Sequence, residues 1–261
     1  TGGYQSAEDV LRYDDTVYTN INGTFYPSLG ELRFTGTDTV GNYEALLRTV
    51  TYENTNDIDP DTTVREFSFT VNDGMTDSAA DTATISIIAE NDPPAVTASG
   101  VPLDYVEGAT EVVDAGITVT DLDGDNIKSA TVQFTAGYQS GVDVINITGF
   151  TDQGSGVWTL TTTGTPAAIE TNLQGMTYSN TSDDPTTDQR VLQITVSDGT
   201  DLSNTVSAVI NVTPVNDPPV LTADRTFTYT EGDGAVLVDD DIALTDLDDT
   251  HLASAEVEIT N

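Results

Sequence analysis

The chain has 261 residues, and its 44 Asp and Glu residues against seven Lys and Arg residues give a formal net charge of −37. This excess of negative charge excludes nucleic acid and anionic membrane surfaces as partners, because both carry charge of the same sign. The sequence has no cysteine, so disulfides cannot stabilise the fold. No apolar run approaches the ~20 residues that span a bilayer. The acidic side chains therefore serve to bind metal ions or to keep the protein soluble in high salt.

Alternating apolar and polar residues predict short β-strands along most of the chain. Two segments have helical spacing instead, Asn42–Arg48 and Pro166–Leu173, and each is long enough for one or two turns. The strand patterns lie at Phe67–Val71, Thr84–Ile87, Val132–Phe134 and Leu192–Val196. Gly, Asn and Asp residues separate them, as expected for turns. The spacing predicts an all-β fold of Greek-key β-sandwich modules.

An internal repeat of about 125 residues runs through the sequence. Its plainest instance is Glu90-Asn-Asp-Pro-Pro94, which recurs as Val215-Asn-Asp-Pro-Pro219. Four further segments recur at similar spacings: Gly3–Ser6 as Gly137–Ser140, Tyr52–Thr55 as Tyr178–Thr181, Val71–Gly74 as Val196–Gly199, and Thr120–Gly124 as Thr245–Asp249.

The repeat predicts three modules, with the back part of one at residues 1–94, a complete one at 95–219 and the front part of another at 220–261. The paired prolines of each Asn-Asp-Pro-Pro linker fix φ and favour a stiff, extended connection. We expect the chain to be a stretch of a longer tandem array. The two partial modules are complementary, which would also suit a chain whose front part completes the back part of a neighbour.

Acidic residues recur in positions that suit calcium, a hard cation that takes six to eight oxygen ligands. Two Asp-x-Asp pairs, Asp121-Leu-Asp123 and Asp246-Leu-Asp248, can each direct two carboxylates at one ion from a short loop. An aspartate followed by glycine is also a common turn former, and that second role stays open for Asp73 and Asp198. The cluster Asp239-Asp-Asp241 is interpreted as a solvated acidic turn.

The order of these signals in the complete module resembles a cadherin repeat. Asn91-Asp92-Pro93 stands at the linker, Glu107-Gly108 at the early glutamate, and Asp121-Leu-Asp123 at the Asp-x-Asp motif. Val196-Ser-Asp198-Gly199 resembles the Ala-x-Asp motif before the last strand, and Asn216-Asp217-Pro218 closes the module. The Asn-Asp-Pro-Pro form is most similar to the cadherin-like repeats of large bacterial surface proteins.

The resemblance implies Ca²⁺ bound between modules. For the first junction it implies the ligands Asp57, Asp59, Asn91, Asp92, Asp121, Asp123 and Asp198. For the second junction it implies Glu107, Asp183 or Asp184, Asn216, Asp217, Asp246 and Asp248. The linker lacks the full Asp-x-Asn-Asp-Asn of the family, and no intact Asp-Arg-Glu motif is present, so some junctions are expected to hold fewer ions.

Catalysis receives little support from the sequence. A Ser-His-Asp triad would have to use His251, the one histidine, whose counterpart segment Asp125–Ile127 has none. Paired carboxylates can hydrolyse glycosides, but here the acids recur in register in each module, which is typical of architecture. Trp158 and Phe150 offer an alternative function, a carbohydrate-binding module, if they are exposed; a core position for Trp158 is the other interpretation.

The sequence therefore predicts a non-catalytic, calcium-rigidified structural or adhesive repeat of an extracellular, cell-surface or filamentous protein. The predicted partners are copies of the chain or neighbouring repeats, joined head-to-tail. Cell-surface or glycan ligands would be bound by other parts of the parent protein.

Overall fold

The computed structural model describes residues 3–16 and 19–260, which form mostly short β-strands together with two helices. The predicted all-β class is confirmed at this level. Thr1, Gly2, Val17, Tyr18 and Asn261, which fall in the predicted first and third modules, lie outside the described residues. The chain divides into two compact units, residues 1–92 and residues 93–261. The finer division into three modules stays a prediction.

Unit 1 contains six strands and one helix among its described residues. They are β1 (Asp9–Arg12), β2 (Asn22–Tyr26), β3 (Glu31–Thr35), α1 (Val40–Leu47), β4 (Thr51–Asn54), β5 (Arg65–Phe69) and β6 (Asp81–Ile85). The strands form three separate antiparallel pairs, β1 with β4, β2 with β3, and β5 with β6.

Unit 2 contains the complete module and the segment after it. Its elements are β7 (Ala95–Thr97), β8 (Leu103–Val106), β9 (Glu111–Val112), β10 (Thr118–Thr120), β11 (Ser129–Ala136), β12 (Asp143–Asn146), β13 (Phe150–Gly154), β14 (Val157–Leu160), α2 (Pro166–Gln174), β15 (Thr177–Asn180), β16 (Arg190–Ser197), β17 (Val206–Thr213), β18 (Val220–Thr222) and β19 (Ala243–Thr245).

Two larger sheets and the two-stranded pair of β7 and β10 contribute to the core of the complete module. The larger sheet has the strand order β13-β14-β11-β16-β17-β8, and the smaller has the order β12-β15-β9. All neighbours are antiparallel except β17 and β8, which run parallel. Side chains from both sheets and from α2 meet in one cluster of buried residues. Strand β11 joins the two parts of the large sheet, because it pairs with β14 on one side and with β16 on the other.

The two helices begin where their sequences provide a cap. The side chain of Thr39 accepts a hydrogen bond from the backbone N–H of Asn42, and Thr165 does the same for Ala168. Pro166 stands in the first turn of α2, where its missing N–H costs nothing. Both predicted helices are confirmed, α1 at Val40–Leu47 and α2 at Pro166–Gln174.

The strand β16 shows why the alternating pattern forms a sheet in this module. Leu192, Ile194 and Val196 point to one face and are at most 1% exposed, as expected for a strand with period two. The matching residues of unit 1 are Phe67, Phe69 and Val71. There Phe69 is 39% exposed and Val71 50% exposed, so the same apolar face is open.

Residues 220–260 repeat the beginning of the complete module. Strand β18 pairs with β19 in the register Val220 with Thr245, as β7 pairs with β10 in the register Ala95 with Thr120. The remainder of this segment, from residue 246 to residue 260, contains no strand in the described structure.

Candidate metal sites and a repeated ion-pair network

The loop Asp121–Asp123 follows β10 and turns back on itself. The backbone N–H of Asp125 donates to Oδ1 of Asp121 at 3.0 Å, and Gly124 adopts φ +74°, which favours glycine. The other carboxylate oxygen of Asp121, Oδ2, is buried and has no hydrogen-bond partner among the described residues.

The second Asp-x-Asp loop makes the same kind of turn and also holds the linker. Oδ1 of Asp246 accepts from the backbone N–H groups of Asp248 at 3.1 Å and Asp249 at 2.8 Å. Oδ2 of Asp248 accepts a short hydrogen bond from the backbone N–H of Asp217. Oδ1 of Asp248 is buried and lacks a partner within the described part of the chain. The structure therefore brings together Asp217, Asp246 and Asp248 of the predicted second junction.

Glu107, the residue that follows β8, also binds the backbone of the linker between residues 215 and 219. Its Oε2 accepts from the backbone N–H of Val215 at 2.8 Å, and its own N–H donates to the carbonyl of Thr213 at 3.0 Å. Glu107 and Asp248 thus hold the linker backbone at positions 215 and 217. Asn216, between them, donates from its side chain to the carbonyl of Asp217 at 2.8 Å.

Asp183 and Asp184 lie on the exposed loop after β15. The backbone N–H of Asp184 donates to the hydroxyl of Ser182 at 3.2 Å. No hydrogen bond or ion pair among residues 93–260 joins either carboxylate to Glu107 or to the loop 246–248. Their place in the second junction stays a prediction.

Asp198 forms a tight turn and is fully buried. Its Oδ1 accepts from the backbone N–H groups of Thr200 at 2.6 Å and Asp201 at 2.8 Å. Asp73 makes the same turn in unit 1, with Met75 and Thr76 as donors, and these N–H groups lower the pKa of Asp73. Both aspartates therefore form a turn, and the role of Asp198 as a calcium ligand stays a prediction.

The residues of the predicted first junction divide between the two units. In unit 1, the side chain of Asn56 makes hydrogen bonds with the backbone carbonyl and N–H of Asp59. Asp57 is exposed on the same loop. The side chain of Asn91 donates to the carbonyl of Asp92 at 3.3 Å. The other three predicted ligands, Asp121, Asp123 and Asp198, belong to unit 2. The joint ligand set stays a prediction.

The donor chemistry of the Asp-x-Asp loops fits a hard cation. A buried carboxylate oxygen without a hydrogen-bond donor costs free energy, and such atoms in folded proteins call for an ion or a water molecule. Asp121 and Asp248 each present one such oxygen. Carboxylate and carbonyl oxygens are the ligands that Ca²⁺ prefers, so the residues present fit the ion that the sequence predicts.

The cluster Asp239–Asp241 is different in kind. Its carboxylates lie within 4.8 Å of one another, but the guanidinium of Arg225 already pairs with Asp240. Asp239 Oδ1 accepts from the backbone N–H of Asp241 at 3.0 Å, as Asp114 accepts from Gly116 at 2.8 Å in the complete module. Asp239 is therefore a turn residue with a counterpart in that module.

The sequence analysis missed a buried ion-pair network that occurs once in each unit. In unit 2, Asp143 on β12 accepts hydrogen bonds from Tyr178 at 2.6 Å, Asn180 at 2.6 Å and the backbone N–H of Gln139 at 2.7 Å. Arg190 on β16 donates to the same carboxylate at 3.3 Å, and both side chains of this pair are fully buried. Burial and the bond to Asp143 raise the pKa of Tyr178. The network ties the small sheet to the large one.

Unit 1 repeats the network with Asp9 on β1. The carboxylate accepts from Tyr52 at 2.5 Å, from the backbone N–H of Gln5 at 2.8 Å and from Arg65 at 2.8 Å. Burial by itself would raise the pKa of Asp9, but these hydrogen bonds and the charge of Arg65 together hold it below its ordinary value.

A sequence signal for this network does exist. Tyr52-Glu-Asn54 recurs as Tyr178-Ser-Asn180, and an arginine follows each at the repeat spacing, in a chain with only seven Lys and Arg residues. Because Lys and Arg are rare in this chain, the recurrence of Arg65 as Arg190 at the repeat spacing indicates a structural role for both arginines.

Trp158 lies inside the core, only 5% exposed, with its ring edge-on to Phe134 at a centroid distance of 5.9 Å. The core interpretation of Trp158 is confirmed. Phe150 packs partly buried against the same core. The pair therefore offers no exposed aromatic platform for a sugar.

In comparisons with known proteins, the chain is similar in sequence to a small part of a very long protein. It is 26% identical over 267 residues to halomucin of Haloquadratum walsbyi (strain DSM 16790 / HBSQ001), and the match covers 98% of this chain and 2% of halomucin. The chain thus spans about one fiftieth of that relative. No family model matches the sequence. A crystal structure of domains 4 and 5 of the S-layer protein SbsC aligns with this chain at 14% identity and a TM-score of 0.29. The alignment covers 78% of this chain and 97% of the SbsC chain.

No helix among the described residues has the length and apolar character to cross a membrane.

Proposed function

We propose that the chain is a non-catalytic structural repeat of an extracellular, cell-surface protein, made of cadherin-like β-sandwich modules whose junctions are stiffened by Ca²⁺. The predominance of strands, the internal repeat and the similarity along the whole chain to a small part of a very long protein support a repeat module. The observation that supports the calcium role is the pair of buried carboxylate oxygens, on Asp121 and Asp248, that have no hydrogen-bond partner among the described residues.

The second junction is the better defined of the two. Asp246 and Asp248 would hold the ion together with Asp217 and Glu107. The side chains of Glu107 and Asp248 already bind the linker backbone at residues 215 and 217, and Asp246 holds the loop that carries Asp248. Bound Ca²⁺ supplies positive charge between carboxylates that would otherwise repel one another. At close range in a partly buried setting this repulsion is worth several kcal/mol per pair, on the order of 4 kcal/mol at an effective dielectric constant of 20. Removal of the ion would therefore loosen the linker.

The remaining negative charge has a separate role. About six bound Ca²⁺ ions would cancel roughly 12 of the 37 net negative charges and leave most of the formal charge in place. A surface with that density of carboxylates keeps the modules soluble, and their mutual repulsion keeps them apart to the extent that salt leaves it unscreened. The array would then be extended by charge and straightened by calcium.

Calcium titration with matched variants tests the proposal. Isothermal titration should count bound Ca²⁺ in the wild type, and Asp248→Asn should lose one site. Asp249→Asn removes the same charge from the neighbouring residue, which donates its backbone N–H to Asp246, and it should bind as the wild type does. In the first loop, Asp121→Asn and its control Asp125→Asn form the corresponding pair.

A chelator experiment tests rigidity independently of site count. We expect EDTA to lower the melting temperature and to broaden the distance distribution from small-angle X-ray scattering. An unchanged melting temperature together with an unchanged scattering length would rule out the calcium role and leave only the spacer role.

A further inference from the structure

Four Asn-x-Ser/Thr sequons occur in the sequence, and the contacts of their asparagines differ. They are Asn22-Gly-Thr24, Asn146-Ile-Thr148, Asn180-Thr-Ser182 and Asn211-Val-Thr213. In a secreted protein this motif is the acceptor for N-linked sugars. A sugar on the amide nitrogen is bulky and polar, so the folded protein accommodates it only where that nitrogen faces solvent.

Asn180 serves the buried ion-pair network. It is only 7% exposed, and its Nδ2 donates to Oδ1 of Asp143 at 2.6 Å. Unit 1 repeats this contact at Asn54, whose Nδ2 donates to Oδ1 of Asp9 at 3.3 Å. There the third position of the motif is Asn56, so unit 1 keeps the asparagine without a sequon. The asparagine at this position is therefore explained by its contact with the aspartate in both units.

Asn211 is held by its neighbours on the large sheet. It lies half-buried on β17, where its Nδ2 donates to Oδ1 of Asp104 on β8 at 2.8 Å. Its Oδ1 accepts from Nε2 of Gln189 at 2.9 Å. Both polar atoms of this amide are thus bound to other side chains, and a sugar on the nitrogen would disturb the contact with Asp104.

Asn146 is open to solvent. It is the exposed last residue of β12, and the exposed Thr148 follows in the turn that leads to β13. Between them Ile147 is only 6% exposed and packs in the core. This alternation directs the asparagine and the threonine away from the core together. Neither side chain makes a hydrogen bond to any of residues 3–16 and 19–260.

Asn22 has the same arrangement in unit 1. It is the exposed first residue of β2, and Thr24 is exposed two residues later. The residue between them, Gly23, is held by Tyr13, whose hydroxyl donates to its carbonyl at 3.1 Å and accepts from its N–H at 3.0 Å. The amide of Asn22 has no hydrogen-bond partner in the described part of the chain. In both motifs the middle residue is anchored and the two outer side chains are free.

The two open sequons flank the same connection in the two units. Strand β1 pairs with β4 as β12 pairs with β15, and β2 and β3 form a hairpin as β13 and β14 do. Asn22 begins the strand after this connection, and Asn146 ends the strand before it. Because β12 is an edge of the small sheet, a sugar at its end would also hinder the pairing of other chains with that edge.

We propose that Asn22 and Asn146 carry N-linked sugar chains and that Asn180 and Asn211 do not. This inference rests on the extracellular location proposed above, because the sequon is an acceptor in secreted proteins. In the transfer, Nδ2 attacks the anomeric carbon of a sugar that is activated as an ester of a lipid phosphate or diphosphate. The bond from that carbon to the phosphate oxygen breaks, the phosphate leaves with the electron pair, and the nitrogen gives one proton to a base of the transferase.

Peptide mapping of the protein from the cells that produce it tests the proposal. The endoproteinase Asp-N cleaves before aspartate and places each sequon on a peptide of its own, at residues 15–37, 143–151, 152–182 and 201–216. Mass spectrometry should find sugar on the first two peptides and unmodified masses for the other two. A first or second peptide that is wholly unmodified, or sugar on the third or fourth, would overturn the proposal.

A matched pair of variants separates the enzymatic reaction from chemical attachment of sugar. Thr148→Ala destroys the sequon but leaves Asn146 in place, and Thr148→Ser preserves the sequon. Expressed in the same cells, Thr148→Ala should lose the sugar on peptide 143–151 and Thr148→Ser should keep it. Both should show the circular dichroism of the wild type, since Thr148 is exposed. Sugar that persists in Thr148→Ala would contradict recognition of the motif.

The location of the protein is measured separately on the same cells. Protease added to intact cells should remove the protein if it lies outside. An accessible protein with unmodified Asn22 and Asn146 would overturn this inference alone. A protein protected until the cells are lysed would overturn the proposed location, and this inference with it.

Discussion

Unit 1 and the complete module of unit 2 have the same elements in the same order from β1 and β12 onwards, yet they bury very different amounts of apolar surface. Ile194 and Ile210 are fully buried, whereas their counterparts Phe69 and Ile85 are 39% and 38% exposed. The pairing registers match, since Arg65 faces Ile85 as Arg190 faces Ile210. The difference lies in residues 95–136, which provide nine of the 22 buried residues in the core of the complete module.

This comparison separates two sources of stability. The polar network around Asp9 or Asp143 is complete in both units, so it needs only the back part of a module. The apolar core requires both parts. A back part by itself can therefore hold its strand pairs in place while it leaves an apolar face uncovered.

Breaking the buried ion pair should have the largest effect. Arg190→Leu leaves the carboxylate of Asp143 buried without its cation, which typically costs about 3–5 kcal/mol. The single tryptophan, Trp158, lies in this module, so urea denaturation followed by its fluorescence measures the free energy of unfolding of the complete module alone. Arg190→Leu combined with Asp143→Leu should recover part of the loss, because no unpaired charge remains.

The same truncation at matching core positions should give unequal effects. Ile194→Ala opens a cavity in a packed core and should cost about 2–5 kcal/mol. Phe69→Ala removes a half-exposed ring and should cost unit 1 clearly less. Hydrogen exchange with peptide-level mass spectrometry resolves the two units. Equal losses would mean that the face of unit 1 is already covered.

Acid should weaken unit 1 through Asp9. Its pKa is lower in the folded state than in the unfolded chain, so its contribution to stability is fully present above the unfolded value of about 3.9. The contribution is lost as the pH falls through the lower, folded value. Asp9→Asn should flatten the dependence of unit 1 stability on pH below about 4, measured by tyrosine and amide NMR signals. A slope identical to that of the wild type would contradict this assignment.

The smallest effect is expected at the surface. Arg12 pairs with Glu53 at 2.7 Å, but both side chains are more than half exposed. Arg12→Leu should change the free energy of unfolding by less than about 1 kcal/mol. It is the control for Arg190→Leu, since it removes the same charge from a pair in water. A loss as large as that of Arg190→Leu would show that global charge, and not burial, sets the effect.

The sequence by itself determined the repeat, the all-β class and the two helices, because apolar periodicity and threonine caps act over a few residues. It also marked the Asp-Gly turns at Asp73 and Asp198, which form through hydrogen bonds to the next two or three residues. The recurring acidic residues predict metal binding, and the side chains of Glu107 and Asp248 both bind the linker backbone, Asp248 through the N–H of Asp217.

Only the tertiary structure decided the rest. The contacts of Arg190 with Asp143 join residues 47 positions apart, and no local pattern shows that a charged side chain will be buried. The open face of unit 1 is likewise invisible in its own sequence, since Phe69 and Ile194 have the same alternating pattern. Whether such a side chain is covered depends, in the complete module, on a strand supplied from more than 50 residues away.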